Sequence, residues 1–404
     1  MTRQEFLQRS TALGIGLPLL SNLLLGCEDE VLFKNDFEVN FSGKVLIIGA
    51  GAAGMTAGHV LNKYGIDFEI VEAAAGFGGR VKKIENFADF PIDLGAEWIH
   101  DKPSILAKLI SDDRVNANVE LIDYSPETIY LWKNDKLKKR NFFSNFYGEY
   151  KFKDTTWFDF FERHIVPGIA DRTVFNSPIV QIDYSKDKIV ATTTNGHVFQ
   201  ADKLILTVPL TILKQNRIAF TPAFPQQKVE ALKGVDMPDG IKVFIEFSER
   251  FYPDITFDGG LFENLNDDKG AKTYYDAAFR KDTNKNVLGL FAVGIPATPY
   301  TRHETEEEIV QYVLDELDKI FDGKASKFYV KHIVQNWSKE SYILGSYSHY
   351  VDYNVRDELR RPIDGKIYFA GETYSPDENA IATVHGAGLS AYVAVEDLLK
   401  NESI

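Results

Sequence analysis

The apolar positions of this chain fall into two kinds of run. Val45-Leu46-Ile47-Ile48, Phe68-Glu69-Ile70-Val71, Leu204-Ile205-Leu206-Thr207-Val208 and Ile367-Tyr368-Phe369 are short and nearly unbroken, the pattern of strands buried on both faces. Residues 242–247, 273–279, 287–293 and 328–334 carry strand patterns that gather in one region. Between the last two lies 304–321, where Ile309, Val313, Leu314, Leu317 and Ile320 form one helical stripe. Thr305 and Glu308 are spaced as a capping box for that helix. Residues 55–64 also read as a helix, and residues 189–201 as a hairpin turning at Asn195-Gly196 through a type I′ turn. The pattern predicts a buried α/β core and a second region built on an antiparallel sheet with helical cover.

The start of the chain differs. Arg3 and Arg9 precede a mostly apolar run over 11–25, and Cys27 follows. The run is short for a bilayer span and reads as a secretory signal. Leu24-Leu25-Gly26-Cys27 resembles a bacterial lipobox, and residues 2–7 resemble a degraded twin-arginine signal. We therefore expect residues 1–26 to be a lipoprotein-type signal peptide and 27–41 a polar tether. The protein would be exported and held in the bacterial cell envelope, at the periplasmic side or the surface, touching membrane only through a lipid on Cys27.

Composition narrows the partners. Of 404 residues, 44% are hydrophobic and 26% charged, which excludes a disordered chain and a multi-span membrane protein. Lys and Arg number 45 against 59 Asp and Glu, a formal charge of −14. That argues against nucleic acid, which needs clustered cations, and suits a cationic ligand. A single cysteine cannot build an internal disulfide or a multi-cysteine metal site, and no metal is expected.

The chemistry begins at Gly49-Ala50-Gly51-Ala52-Ala53-Gly54, directly after the first strand. A helix, a turn, a second strand and then Glu72 follow, with Glu72 18 positions after Gly54. Each part has a physical reason. Gly49 permits the tight turn, Gly51 lets backbone approach a pyrophosphate, and Gly54 lets helix and strand pack closely. The helix N-terminus favours phosphate charge, and Glu72 can accept hydrogen bonds from a ribose diol. A dinucleotide is expected, NAD or FAD, without a 2′-phosphate.

Gly78-Gly79-Arg80 and Asp93-Leu94-Gly95-Ala96 come next. With Glu72-Ala73, these blocks resemble the flavin-containing amine oxidases, a family of monoamine, polyamine and L-amino-acid oxidases and histone lysine demethylases. The family often has arginines at the places of Ala74 and Gly76, which this chain lacks. The resemblance resumes at the strand ending in Val208-Pro209, at 240–247, at Trp337 to Gly345-Ser346-Tyr347, at Gly371-Glu372 and at Ala382-Thr383-Val384-His385. The wording of the last block is closer to the histone lysine demethylases.

The resemblance implies a discontinuous Rossmann-like FAD-binding domain, assembled from 42–100, 168–235 and 338–404. It adds an α+β substrate domain with a mostly antiparallel sheet, from 101–167 and 236–337. It also implies that FAD is held by Gly49, Gly51, Ala53, Gly54, Glu72, Gly79, Arg80, Gly95, Ala96, Glu97, Trp98, Val180, Pro209, Trp337, Gly371, Glu372, Ala382, Thr383 and Val384. Ser346 stands where monoamine oxidases carry the flavin-linked cysteine, so the FAD is expected to be noncovalent. In the catalytic set, Lys242 would hold a water against flavin N5 and Tyr347 would wall an aromatic cage. Thr383 replaces the second cage aromatic. Glu97, His100 and Asp101 are the candidates for substrate recognition. Glu97 and Asp101 would pair with a distal ammonium, and His100 resembles the histidine of a Trp-Ile-His block in plant polyamine oxidases. Residues 101–171 are shorter than the family's usual insertion, implying a smaller or more open substrate entrance.

The expected reaction is oxidation of a small-molecule amine, polyamine-like by charge, with O2 as electron acceptor and hydrogen peroxide as product. The alternatives are a related FAD oxidoreductase acting on L-amino acids or on a desaturation substrate, and a lipid-anchored FAD-binding protein without turnover.

Overall fold

The computed structural model describes residues 37–117, 119–140, 149–258, 270–348 and 350–400. The expected signal, Cys27 and most of the tether lie outside the described residues. The tether is shorter than its sequence suggested. Phe37 stacks on Tyr64 with ring centroids 5.0 Å apart, Phe41 is buried, and the Asn40 N–H donates to the Leu399 carbonyl. Two aromatic rings gain more by burial than the polar residues between them lose, so 37–41 belongs to the folded body.

The four short apolar runs supply four adjacent strands of a five-stranded parallel sheet. Its order is Ile367–Phe369, Lys203–Leu206, Lys44–Ile48, Asp67–Val71, Thr173–Val174. Lys44–Ile48 pairs in parallel with both neighbours, Val45 facing Lys203 on one side and Phe68 on the other. The helix Ala52–Lys63 follows the glycine loop and packs against the carboxyl-terminal helix Val384–Lys400. A Cβ on Gly54 would sit 1.9 Å from the Gly49 carbonyl oxygen, so only glycine lets the helix start this close to the strand it leaves.

A seven-stranded sheet builds the second region. Its order is Tyr329–Asn336, Gly240–Phe247, Asn286–Gly294, Gly270–Asp276, Ile255–Asp258, Ile129–Lys133, Lys136–Arg140. All its pairs are antiparallel except Ile255–Asp258 with Ile129–Lys133. Thus 129–140 joins the sheet of the second segment. Other parts of 101–167 pack elsewhere: Leu106, Leu109, Trp157, Phe160 and Phe161 share a core with Val45, Met55 and Leu398 on the dinucleotide side.

The helix Glu306–Ile320 covers the large sheet. Its stripe of Ile309, Val313, Leu314, Leu317 and Ile320 is buried against Val243 and Ile245. Thr305 accepts from the Glu308 N–H, and Glu308 reaches back to the Thr305 N–H, completing the capping box. The hairpin Ile189–Thr193 and Val198–Ala201 also forms, but its turn is not type I′. Gly196 alone has positive φ, at 80°, whereas that turn needs two such residues. The Gly196 N–H donates to the Thr193 carbonyl, and the Asn195 side chain accepts from the Thr193 hydroxyl and the His197 N–H. The turn thus spans Thr193–Gly196, and its one left-handed position falls on Gly196.

These two contributions separate in urea denaturation. Thr305→Ala is expected to lower stability by about 1 kcal/mol through loss of the cap. Leu317→Ala, emptying a fully buried position, is expected to cost about 2–5 kcal/mol. Equal effects would show that the helix is not held by its buried stripe.

Candidate active site

A cavity of about 1100 Å³ runs from the glycine loop to the large sheet. Its first end is made by the two glycine turns locked together. The Gly78 N–H donates to the Ala50 carbonyl at 2.9 Å, and a Cβ added to Gly79, at φ 58°, would stand 3.4 Å from the Gly51 α-carbon. Glu72 ties the turns to the second strand. Its Oε2 accepts from the Ala50 N–H at 2.5 Å and its Oε1 from the Ala74 N–H at 2.8 Å. Burial pushes this carboxyl up, opposed by those N–H groups. Each oxygen keeps a lone pair, and the side chain lines the cavity, so a diol can still bind.

Across the cavity, Arg80 joins the two ends of the chain. Its Nη1 donates to Glu372 Oε1 at 2.9 Å and to the Ser346 carbonyl at 3.0 Å. Ser348 also donates to Glu372 Oε1. Glu372 Oε2 and Trp98 Nε1 are buried with no hydrogen-bond partner, yet both residues line the cavity. A buried polar atom without a partner costs about 1–3 kcal/mol. These two atoms, the glycine cradle and the elongated volume fit FAD.

Gly49, Gly51, Ala53, Gly79, Gly95, Ala96, Glu97, Val180, Pro209, Trp337, Gly371, Ala382, Thr383 and Val384 also line the cavity. Gly54 does not, and acts through helix packing. Trp337 is oriented by its Nε1 bond to the Leu94 carbonyl. The Thr383 hydroxyl accepts from the Gly386 N–H and donates to the Ala380 carbonyl. It caps the carboxyl-terminal helix, and that is its visible work.

The inner end is a buried charge cluster. Lys242 was expected to hold a water. Its three ammonium hydrogens are instead directed at the Asp93 carbonyl (2.8 Å), the Gly95 carbonyl (3.1 Å) and Glu97 Oε2 (2.6 Å). A water there must displace one of them. Glu97 also accepts from the Tyr275 hydroxyl at 2.5 Å and pairs through Oε1 with Lys151. Burial pushes the Glu97 carboxyl up, but the ammonium groups of Lys151 and Lys242 outweigh it and hold the group at about 2. The expectation that Glu97 binds a substrate ammonium is therefore corrected: the chain's own lysines take that place.

The remaining candidates divide. His100 lines the cavity with Glu149, its Nδ1 2.7 Å from Glu149 Oε1. Asp101 does not line it. Its Oδ1 accepts from the Lys102 N–H. Tyr347 lines the cavity, its ring 6.4 Å from that of Phe291 and inclined by only 8°. Phe291, on the large sheet, thus sets a second aromatic ring in the cavity lining beside Tyr347. Glu149, Lys151 and Phe291 escaped the sequence reading. Phe291 lay within an expected strand whose facing was undetermined, and Glu149 and Lys151 lay in the least patterned stretch.

Two stability tests follow. Glu72→Ala strands the buried N–H groups of Ala50 and Ala74 and is expected to cost about 1–3 kcal/mol in chemical denaturation; no loss would show that the loops hold without it. His385, at the start of the last helix, is held down to about 4 by burial and, secondarily, by His100. Its folded pKa lies below the ordinary value of 6.5. Its contribution is therefore complete above pH 6.5 and is lost as pH falls toward 4, up to about 3 kcal/mol. In His385→Gln the drop in melting temperature between pH 7.5 and 5 should shrink by several degrees. An unchanged drop would remove His385 from the acid response.

The chain matches the model of the flavin containing amine oxidoreductase family over residues 163–399, and that of the NAD(P)-binding Rossmann-like domain over 47–112. It is 24% identical to polyamine oxidase 3 of Oryza sativa subsp. japonica, covering 87% of this chain and 88% of that one. It is 26% identical to lysine-specific histone demethylase 1B of Mus musculus over 62% of this chain and 30% of the other. Its fold is similar to that of putrescine oxidase bound to putrescine, with TM-score 0.72 and 14% identity over 89% of this chain and 99% of that one. Cyclohexylamine oxidase from Brevibacterium oxydans is similar too, with TM-score 0.71 and 17% identity over 89% and 100%. With the glycine cradle, the unpartnered polar atoms and the family match in agreement, the chain belongs to the flavin-containing amine oxidoreductases, FAD-dependent enzymes acting on amines.

Proposed function

We propose that the substrate is a diamine or polyamine, oxidised at the carbon beside one nitrogen while a second, charged nitrogen is held by Glu149. The carrying observation is the Glu149–His100 pair in the cavity wall. Glu97 is occupied by two lysines and Glu372 by Arg80. The partner of Glu149 is an imidazole and not a lysine or arginine, which leaves its carboxylate open to an alkylammonium. The similarity to polyamine oxidase supports the same reading.

FAD, when bound, supplies the acceptor for a hydride equivalent, and O2 takes the electrons as hydrogen peroxide while water converts the oxidised amine to an aldehyde and a smaller amine. The side chains orient and desolvate. Tyr347 and Phe291 offer π faces to the reacting end. The ammonium groups of Lys151 and Lys242 disfavour a charged amine at the inner end. An amino acid would need a cation for its carboxylate. Among the described lining residues the lysines and arginines are Arg80, held by Glu372, Lys242, held by Glu97, Lys82, paired with Glu340, and Arg217, which leads into Ala219–Thr221 beside Ile179–Asp183. Arg163, Arg172 and Arg280 do not line the cavity, which argues against L-amino acids. The sequence around Cys27 supports export and lipid attachment, which the mass of the mature N-terminus would check.

The test is anaerobic bleaching of the FAD-loaded protein by putrescine, spermidine, a monoamine and L-amino acids. Putrescine or spermidine should bleach it best. Glu149→Gln should raise KM for the better of these about tenfold and leave the monoamine nearly unchanged. Bleaching by amino acids alone, or an equal KM change for both amine types, would sink the assignment.

A further inference from the structure

Lys151 is almost completely buried, and burying an ammonium is costly unless it is paired. It lies on the strand Glu149–Phe152, two residues from Glu149 and hence on the same face. Glu149 reaches the cavity, whereas Lys151 stands behind the cavity wall against Glu97. Its Nζ is 5.5 Å from the Trp98 ring centroid and 5.1 Å from those of Tyr124 and Tyr275. Three aromatic faces and a carboxylate are what an alkylammonium ligand requires, and the chain fills that box with its own lysine.

The box acts on Lys242. The Glu97 carboxylate has two oxygens: Oε1 goes to Lys151, and Oε2 to Lys242 and the Tyr275 hydroxyl. We propose that Lys151 is a positioning residue, which fixes the Glu97 carboxylate so that Oε2 is presented to Lys242 and the Lys242 ammonium is locked in the cavity wall. No residue assignment drawn from the sequence included it, and the inference does not depend on which amine is oxidised.

A second effect follows from charge. Facing Lys151 are Glu97, Lys242, Asp93, Asp276, Lys281, Tyr124 and Tyr275. Asp93 is pushed well up by burial and by Glu97, and it accepts from the Trp157 N–H. Asp276 is pushed up by burial but paired with Arg250. Lys281 donates to the Phe152 and Lys153 carbonyls. Two lysines therefore share one carboxylate, and Lys151, which does not reach the cavity, biases Lys242 toward its neutral form.

The experiment follows the Lys242 Cε resonance of 13C-lysine protein against pH, with and without FAD, assigned by its loss in Lys242→Met. Lys151→Met should raise the Lys242 midpoint by about 1–2 units, as expected for removing one like charge a few ångströms away. Lys151→Arg should restore it. The acid limb of the pH profile for amine-driven bleaching should move in Lys151→Met and not in Lys151→Arg. A folded Lys151→Met protein with an unmoved Lys242 midpoint would overturn the proposal. Should Lys151→Met fail to fold for want of a partner to Glu97, Glu97→Gln is compared with Glu97→Gln/Lys151→Met. The double variant should show the higher midpoint by a similar amount, and identical midpoints would equally overturn it.

Discussion

The carboxylate of Glu97 is the constraint on which the active end of this molecule rests. A lone carboxylate at this depth would surrender its charge. It stays ionised because Lys151, Lys242 and the Tyr275 hydroxyl converge on it. Those groups arrive from separate parts of the chain: the strands Glu149–Phe152, Gly240–Phe247 and Gly270–Asp276. One charge thereby ties the segment after the Arg80 turn to the large sheet and to the insertion between them. Breaking such a network on one side leaves a buried charge uncompensated, so the three strands are held together by electrostatics as well as by packing.

The cofactor end rests on a different physics. There the chain brings backbone close to backbone, and the absence of side chains is the structural device. Gly54 lets the helix start against the Gly49 carbonyl, and the Gly76–Arg80 turn lies on the first loop. Glu72 then satisfies the N–H groups that this approach leaves inside. Arg80 closes the structure by carrying the second turn to Glu372, near the carboxyl-terminal helix. Neither half of the chain completes the cavity alone, which is why the dinucleotide region is discontinuous in sequence.

That division explains what could be read in advance. The βαβ unit, the capping box at Thr305 and Glu308 and the stripe from Ile309 to Ile320 are local patterns, and short-range rules describe them. The Asn195-Gly196 turn differs from type I′ because the hydrogen-bonded turn spans Thr193–Gly196, so Thr194 and Asn195 take its central positions and Gly196 follows them. Proximity in sequence to His100 says nothing about facing: His100 lines the cavity, and Asp101 does not and accepts from its neighbour's N–H. Glu149, Lys151 and Phe291 could not be found because their meaning lies wholly in tertiary contacts. A lysine in a short strand signals a surface until the strand is seen to run past a buried carboxylate.

Electrostatics gives the cavity a direction. At its inner end two lysines share one carboxylate, and an additional ammonium is repelled there. At Glu149, two positions from Lys151 on the same strand face and so about 7 Å along the backbone, a carboxylate faces the His100 imidazole. A molecule with two amino groups lowers its energy by placing the neutral one inward and the charged one at Glu149. The reverse orientation sets an ammonium against Lys242 and leaves Glu149 unpaired. Hydride donation needs the neutral amine, because a protonated nitrogen has no lone pair to stabilise the developing cation on the adjacent carbon. In the proposed reaction the distribution of charge that binds the substrate is therefore also the one that prepares it, and Lys151, which does not reach the cavity, contributes to the positive charge that makes the two ends unlike.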